Sequence, residues 1–258
     1  MDILLTNDDG IESTGLEVLY EVLEEIGDVT VVAPATDQSA IGRAISSEVA
    51  VEEHELGYTI DGTPADCVVA GLEAIGPYPD LVIAGCNQGA NLGAYVLGRS
   101  GTVSAAVEAA FFDVPAIAVS LYIPIGDYEY EDVAHEPSFY DNAVRASRYL
   151  ADHAMGAGVF EQADYLNVNA PIPGDEPAPM RITRPSHSYE MAATHEADGT
   201  ITLTDQIWEL MRTDEIDEPT GTDRRAILDG EVSVSPLTAP HTTEHHEALD
   251  ALAETYLA

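Results

Sequence analysis

The sequence predicts an α/β protein with a Rossmann-like, doubly wound, mostly parallel sheet and a smaller C-terminal extension. Short apolar runs ended by Gly or Pro alternate with segments whose apolar residues recur at helical spacing. Clusters of polar residues and glycines follow several of these runs, where sheets of this type bind ligands. The 258 residues, of which 45% are hydrophobic, are enough for one large core.

The first β-α-β unit is predicted at the start of the chain. Residues 2–6 are expected to form a buried strand, and residues 29–33 a second one that Pro34 stops. Between them, apolar residues three and four positions apart predict a helix over residues 15–26, which Gly27 closes. Two buried strands joined by a helix favour parallel pairing.

The rest of the first half repeats this alternation. Further strands are predicted at residues 49–51, 58–60, 80–84 and 116–121, and further helices at residues 65–75 and 102–112. Loops are predicted at the strand ends, and one of them covers residues 85–93. We expect residues 1–125 to form the catalytic core.

The second half is less regular. Residues 126–258 are expected to complete the core and to carry an extension used in oligomerisation. An acidic loop is predicted at residues 128–137, a helix at 138–153, a strand at 165–168, a Pro-rich loop at 171–179, a hairpin-like extension from strands at 180–184 and 200–203, and a final helix at 241–256.

The net charge of the chain is extreme. Asp and Glu total 47 against nine basic residues, all Arg, which gives a formal net charge of −38. Because the acids are spread along the chain, we favour a halophilic cytoplasm, where molar salt reduces the screening length to about 3 Å. A cationic partner is the alternative. The halophilic interpretation predicts that the fold loosens in salt-free buffer, as circular dichroism would detect.

Several function classes are excluded at this stage. A polymer of nucleic acid needs a basic face, which this composition does not supply. No apolar run reaches the roughly 18 residues of a membrane span, and no signal peptide is visible. Two cysteines are too few for a disulfide scaffold, so we expect a reducing, cytoplasmic location.

An acid pair follows the first predicted strand. Asp8 and Asp9 repel each other unless a cation lies between them or one of them is protonated. Their hard oxygen atoms suit Mg²⁺, Mn²⁺ or Ca²⁺. A helix cap or an Asp-Gly turn explains the same residues without a metal, so the pair alone leaves both possibilities open.

Two later stretches add weight to the metal interpretation. Residues 85–93 combine three glycines with amide side chains, and an amide such as that of Asn87 offers a neutral oxygen. Ser100, Gly101 and Thr102 open a predicted helix, whose N-terminal N–H groups suit phosphate. A flexible turn and a plain helix cap are the simpler alternatives. Together, the three stretches predict a metal-dependent phosphate chemistry.

The motifs resemble those of the SurE family of 5′/3′-nucleotidases, in order and along nearly the whole chain. They are ILLTNDDGI, VVAPATDQSA, DGTPADCV, PDLVIAGCNQGANLG, SGTVSAAVEAAF, VPAIAVSL, LNVNAP and VSVSPL. The resemblance implies hydrolysis of nucleoside 5′- and 3′-monophosphates with one divalent metal, Mg²⁺ or Mn²⁺, per subunit, and a homodimer or homotetramer. With the charge, it suggests a halophilic archaeon. A non-catalytic nucleotide- or phosphate-binding module of the same fold is the alternative.

The resemblance also implies roles for individual residues. The metal ligands would be Asp8, Asp9, Ser39 and Asn87, and the phosphate contacts would come from Asn91, Ser100, Gly101 and Thr102. Asp8 and Asp9 are also the candidate catalytic residues, because either could take the proton of the attacking water.

This chain departs from the family pattern at three positions. Cys86 stands where Ile is usual, Arg99 where Tyr is frequent, and Ala40 where Gly is frequent. A thiol is a poor Mg²⁺ ligand, so we expect Cys86 to be a small buried residue. Arg99 either influences nucleotide preference or forms a surface ion pair. None of the three departures removes an expected ligand.

Overall fold

The fold is described from a computed structural model, which covers residues 1–124, 126, 128, 133, 135–239, 241 and 247–255. The first half of the chain contains, in order, β1 (Asp2–Thr6), α1 (Thr14–Leu23), β2 (Asp28–Pro34), β3 (Val51–His54), β4 (Gly57–Ile60), α2 (Pro64–Glu73), β5 (Leu81–Gln88), α3 (Ala94–Leu97), α4 (Gly101–Phe111) and β6 (Ala116–Tyr122).

The second half adds strands to the same sheet and a separate hairpin. Its elements are a 3₁₀ turn (Pro137–Tyr140), α5 (Asp141–His153), a 3₁₀ turn (Val159–Glu161), β7 (Tyr165–Pro171), β8 (Met180–Ile182), β9 (Met191–His195), β10 (Ile201–Asp205), α6 (Ile207–Arg212), α7 (Asp223–Leu228), β11 (Val232–Leu237) and α8 (Glu247–Thr255).

Nine of the described strands form one sheet in the order β3-β4-β2-β1-β5-β6-β7-β11-β8. The central pairs, from β4 to β7, are all parallel, whereas β3–β4 and β7–β11 are antiparallel. The predicted fold class, Rossmann-like α/β with a mostly parallel sheet, is confirmed. Strands β9 and β10 form a two-stranded antiparallel hairpin outside this sheet.

The core has two layers, one on each face of the sheet. Residues of α1 and α5 pack on one face, and residues of α2 and α4 on the other. Local sequence signals start these helices. Ser13 accepts the Leu16 N–H at the start of α1, and Thr63 forms a reciprocal capping box with Asp66 at the start of α2. The central strands are therefore covered on both faces, and their ends are left for a site.

The expected hairpin was wrong in its pairing. Met180–Ile182 is not a partner of the strand near residue 201, because it pairs in parallel with Val232–Leu237 in the main sheet. The partner in the hairpin is Met191–His195, which the sequence analysis did not identify.

Other element boundaries also differ from the expectation. The strand expected at residues 49–51 is displaced to Val51–His54. The expected loop at residues 85–93 begins as strand, because β5 continues to Gln88 across a register shift between Ala84 and Asn87. Much of the acidic loop expected at residues 128–137 lies outside the described residues, as do parts of the expected final helix.

Within the described ranges, no helix combines the length and the apolar character needed to cross a membrane.

Candidate active site

The candidate site lies where the order of the strands reverses direction. From β1 the chain continues to β2 on one side, and it returns later to β5 on the other side of β1. The carboxyl ends of β1 and β5 therefore flank the crevice in which open α/β sheets bind ligands. The acid pair follows β1, and Asn87 lies near the end of β5.

The turn after β1 is held by Asn7. This residue is fully buried, and its Nδ2 donates to Gly10 O at 2.8 Å and to Ser13 Oγ at 2.6 Å. Its Oδ1 accepts the Gly10 N–H at 3.2 Å. Asn7 thus closes the turn and connects it to the cap of α1, which fixes the backbone that carries the two aspartates.

Asp8 faces the start of α4. The side chain is 2% exposed, and its Oδ1 accepts the Thr102 hydroxyl at 2.6 Å. The helix backbone comes so close that a Cβ on Gly101 would lie 2.7 Å from Asp8 Oδ2. Only glycine fits this approach without displacement of one of the two elements. Two of the expected site stretches are therefore in direct contact.

Asp9 faces the opposite way, towards β5. Its Oδ2 accepts the Gln88 N–H at 3.0 Å, which places Asp9 beside Asn87. Burial, and then the charge of Asp8, raise the pKa of Asp9 to about 7. Burial also raises the pKa of Asp8, although the hydrogen bonds from Thr102 oppose that change. None of the ion pairs formed by the described residues includes either carboxylate.

Ser39 lies on the loop after β2, and a backbone contact connects this loop to the acid pair. The Gln38 N–H donates to Asp8 O at 2.7 Å. Ser39 is exposed, and its hydroxyl donates to Asp37 Oδ1 at 2.6 Å. The charge of Asp37 contributes to the raised pKa of both Asp8 and Asp9, so a third carboxylate lies near the pair.

The two expected asparagines have different environments. Asn87 donates through Nδ2 to Gly89 O, and because amide N and O point apart, its Oδ1 is directed away from that carbonyl. Asn91 is 5% exposed and donates through Nδ2 to Ser120 Oγ at 2.9 Å. A longer contact of 3.5 Å connects the same Nδ2 to Thr102 Oγ1.

Ser100 caps α4. Its hydroxyl oxygen accepts the Val103 N–H at 3.0 Å, which leaves the hydroxyl hydrogen for another acceptor. The Thr102 hydroxyl already donates to Asp8 Oδ1. The start of α4 thus contacts the Asp8 carboxylate through Gly101 and Thr102, and Ser100 keeps a hydroxyl hydrogen to donate.

The chemistry of these side chains suits a hard divalent cation. The expected ligands supply only oxygen atoms, from the buried carboxylate of Asp8, the half-buried carboxylate of Asp9, a hydroxyl and an amide. Burial is the main cause of the raised pKa of both carboxyls, neighbouring carboxylates add to it, and no cationic residue is among the causes. Within the described ranges, no three His, Cys, Asp or Glu residues are grouped so that they alone could hold a metal ion.

Sequence reasoning missed the residues that hold the loop after β5. Asn169 Oδ1 accepts the Asn91 N–H at 2.7 Å, and Asn91 O accepts the side-chain amides of Asn167 and Asn169 at 2.9 and 3.2 Å. The signal was available, since residues two apart on a strand share one face. Further along the chain, Asp223 Oδ2 accepts the Gly93 N–H at 2.7 Å.

The departures from the family pattern lie beside the site. Cys86 is fully buried, and burial raises the pKa of its thiol, as expected for a small core residue. The guanidinium of Arg99 lies 5.2 Å from the ring centre of Tyr95 and 6.0 Å from that of Tyr189. Arg99 thus packs on aromatic rings near the start of α4.

This chain is similar to known proteins along almost its whole length. A family model described as Survival protein SurE matches residues 3–192. A protein from Haloquadratum walsbyi named 5′-nucleotidase SurE is 65% identical over 100% of this chain and 97% of its own length. One of the same name from Haloarcula marismortui is 67% identical over 98% of this chain and 94% of its own length.

A solved structure described as Sure protein from Aquifex aeolicus is similar to the whole fold. It matches with a TM-score of 0.77 and 30% identity, over 100% of this chain and 99% of that one. The family model and the full-length relatives lead to the same conclusion, which the motifs in the sequence also support. The chain belongs to the SurE family.

Proposed function

We propose that this chain is a divalent-metal-dependent phosphatase that hydrolyses nucleoside 5′-monophosphates, and 3′-monophosphates as well, to nucleoside and phosphate. Full-length relatives named 5′-nucleotidase support nucleotidase activity. The observation that carries the metal-dependent part is the adjacent pair of Asp8, which is buried, and Asp9, which is half-buried; neither has an arginine as ion-pair partner in the described part of the chain. Burial of two like charges is costly unless a cation completes the site.

One Mg²⁺ or Mn²⁺ per subunit would be held by Asp8, Asp9, Ser39 and Asn87. When bound, such an ion supplies Lewis-acid stabilisation of charge on the phosphoryl oxygens. The Thr102 hydroxyl and the Gln88 N–H hold Asp8 and Asp9 in different directions, which keeps the two carboxylates in position. The chain's own contribution is therefore a rigid acidic site.

The substrate phosphate would bind at Asn91, Ser100, Gly101 and Thr102. Ser100 has its hydroxyl hydrogen to donate, and Gly101 contributes the first N–H of the eleven-residue helix α4, whereas the N–H groups of Thr102 and Val103 already donate to Asp8 and Ser100. These donors are fixed before substrate arrives, so they stabilise charge that develops on phosphoryl oxygens during in-line attack by water.

Asp9 is the better placed of the two acids to accept the proton of that water. Asp8 receives both the hydroxyl and the backbone N–H of Thr102, whereas Gln88 N–H is the backbone donor that contacts Asp9. Water adds to phosphorus, the ester P–O bond breaks, and the nucleoside leaves as an alcohol after it takes up a proton.

The test is phosphate release from AMP in molar salt. We expect turnover with Mn²⁺ or Mg²⁺, none with EDTA, and loss of activity by a factor of a hundred or more in Asp9→Asn. The matched control is Asp28→Asn. Asp28 is exposed and begins β2 at the amino end of the strands, whereas the acid pair lies at their carboxyl end. Saturable AMP binding without phosphate release would instead identify the non-catalytic nucleotide-binding module.

The chain is also proposed to assemble as a homodimer or homotetramer through its C-terminal part, residues 126–258. The hairpin β9–β10 supports this proposal, because Ile201 and Leu203 are 61% and 71% exposed on it. Light scattering should give a dimer or tetramer, and Leu203→Asp should reduce the mass. A cytoplasmic location is proposed as well, since both Cys67 and Cys86 are free thiols.

A further inference from the structure

A cavity of about 420 Å³ lies directly beside the loop that carries Asn87 and Asn91. Its volume falls in the range of small-molecule pockets. The described lining residues are Gly89, Ala90, Tyr122, Ile123, Pro124, Gly126, Tyr128 and Trp208. None of these is charged, although the whole chain has a formal net charge of −38. Three of them are aromatic, so the cavity suits a neutral aromatic group.

A chain of contacts connects the cavity to the candidate phosphate site. Thr102 contacts Asp8, and Asn91 contacts both Thr102 and Ser120. Ser120 and Tyr122 lie two residues apart on β6 and therefore on the same face of the sheet, about 7 Å apart along the strand. A ligand that binds through its phosphate at the start of α4 thus has the aromatic cavity within reach of its other end.

Trp208 lines one side of the cavity, and the end of the β9–β10 hairpin holds it in place. Asp205, the last residue of β10, accepts the Tyr95 hydroxyl and, through Oδ1, the Ile207 N–H at 3.2 Å. Ile207 is fully buried and shares a cluster with Leu92 and Tyr122, against which Trp208 packs. The short helix α6 is therefore anchored to α3, which follows the loop of the candidate site.

We propose that this cavity is the nucleobase subsite, in which the base of the substrate stacks on Trp208. The inference rests on the proposed nucleotidase function, and it names the group that distinguishes a nucleotide from other phosphate monoesters. Stacking on an aromatic side chain tolerates any base, because every base has a π-face. An apolar pocket also discriminates weakly between ligands that differ by one polar group.

This subsite predicts a specific pattern of substrate preference. The chain should accept AMP and GMP with similar efficiency, since the described lining residues offer no charged group to separate them. Both should be preferred to ribose 5-phosphate, which has the phosphate ester but no base. The difference should be about tenfold or more in kcat/KM, the scale of one base–aromatic stacking contact.

The chain contains one tryptophan, so its fluorescence reports on the cavity alone. In molar salt with Mg²⁺, adenosine should quench Trp208 in a saturable manner when excitation is at 295 nm, whereas ribose at the same concentrations should have no effect. Adenosine has no phosphate to hydrolyse, so this measurement does not depend on turnover. Quenching without phosphate release from AMP would support the subsite and reject the proposed hydrolysis; hydrolysis of AMP without quenching would overturn the subsite.

Substitution provides the second arm. Trp208→Leu keeps an apolar side chain but removes the stacking surface, so kcat/KM for AMP should fall about tenfold, mainly through KM, while that for ribose 5-phosphate should change less than twofold. Trp208→Phe should restore most of the loss. The matched control is Tyr189→Leu, which removes an exposed aromatic ring near Arg99 outside this cavity.

Two outcomes would overturn the assignment. Equal losses on both substrates in Trp208→Leu would mean that Trp208 has only a structural role. A change of the AMP preference in Tyr189→Leu, with none in Trp208→Leu, would place the base against the exposed ring of Tyr189 instead.

Discussion

The molecule contains two buried clusters of charge, and they are built in opposite ways. In the first, Asp8 and Asp9 lie together and no arginine pairs with either among the described residues. In the second, the guanidinium of Arg224 is fully buried and lies 3.2 Å from the carboxylate of Glu218. Arg224 Nη1 also donates to Ser188 O at 3.0 Å.

The difference separates a site from a structural element. The Arg224 cluster carries its own counter-charge, and it holds the loop after β5 because Arg224 Nη2 donates to Leu92 O at 3.2 Å. A Cβ on Gly93, whose φ is +90°, would collide with the same guanidinium. The acid pair carries no such counter-charge. The repulsion within such a pair is relieved by protonation of one acid or by a cation, and the metal proposed above would supply that cation.

The largest expected effect comes from removal of Glu218, whose carboxylate is the counter-charge of Arg224 in the Arg224 cluster. Glu218→Ala leaves Arg224 buried without its carboxylate, which should lower the free energy of unfolding by about 3 to 5 kcal/mol. Thermal denaturation in molar salt measures the change. Glu209→Ala is the control, because it removes an exposed ion pair with Arg212 and should leave Tm almost unchanged. If the two substitutions lowered Tm equally, the buried pair of Arg224 and Glu218 would contribute no more than an exposed ion pair, and its contrast with the acid pair would be wrong.

At the acid pair, we expect a substitution to raise the free energy of unfolding and not to lower it. Asp9→Asn should stabilise the metal-free protein at pH 8 by on the order of 2 to 4 kcal/mol, because it removes a buried charge whose carboxyl pKa is raised to about 7. A carboxyl pKa above its unfolded value of 3.8 destabilises the fold at high pH, and this penalty disappears as the pH falls from 8 through 7 to 4. The wild-type protein in EDTA should therefore gain stability over that interval.

The control for the stabilisation by Asp9→Asn is Asp28→Asn, in which stability should depend on pH as it does in the wild type. If Asp9→Asn proved less stable than the wild type in EDTA, the pair would be a structural element like the Arg224 cluster, and the metal interpretation would lose its main support.

A smaller effect is expected where α4 touches the pair. Gly101→Ala places a Cβ 2.7 Å from Asp8 Oδ2 and should cost about 1 to 3 kcal/mol by overpacking, with loss of phosphate release as Asp8 moves. Gly98→Ala is the matched control three residues earlier, since no atom lies within 4 Å of its added Cβ and its φ is −79°. Thermal denaturation of the two variants should separate them clearly.

The smallest effect concerns the hydroxyl that Asp8 receives. Thr102→Val removes the 2.6 Å hydrogen bond and should lower the free energy of unfolding by about 1 to 2 kcal/mol. Thr102→Ser retains the hydroxyl and should recover most of the stability, as denaturant titration would measure. A valine variant as stable as the serine variant would mean that this bond contributes little.

Most of the sheet was predictable because its strands are buried on both faces. Residues 2–6 were predicted with the boundaries that β1 has, and the helices of the first half differ by a few residues at their ends. The end of β5 was not predicted. Gly85 suggests a loop in the sequence, and the register shift after Ala84 that lets the strand continue is visible only in the structure. The strand Met191–His195 is mostly exposed and lacks an apolar run, although the Asp198-Gly199 turn beside it was an available signal.

The candidate site could be predicted only in its local parts. Each expected stretch follows or lies near a strand end, so local pattern was enough to single out Asp8, Asn87 and Ser100 as candidates, and their individual roles came from the family resemblance. The residues that hold the loop after β5 are distant in sequence, and no periodicity connects them to it. Asn169 lies 78 positions from Asn91, and Arg224 lies 132 positions from Leu92.

Those long separations have a consequence for how the protein is made. The acid pair and the start of α4 leave the ribosome early, but the loop that joins them to the cavity gains the last of these backbone partners only after residue 224 has been synthesised. Contacts this distant form slowly and late. A nascent chain that already contains every expected metal ligand is therefore still without a finished site, so catalytic competence is acquired almost at the end of translation.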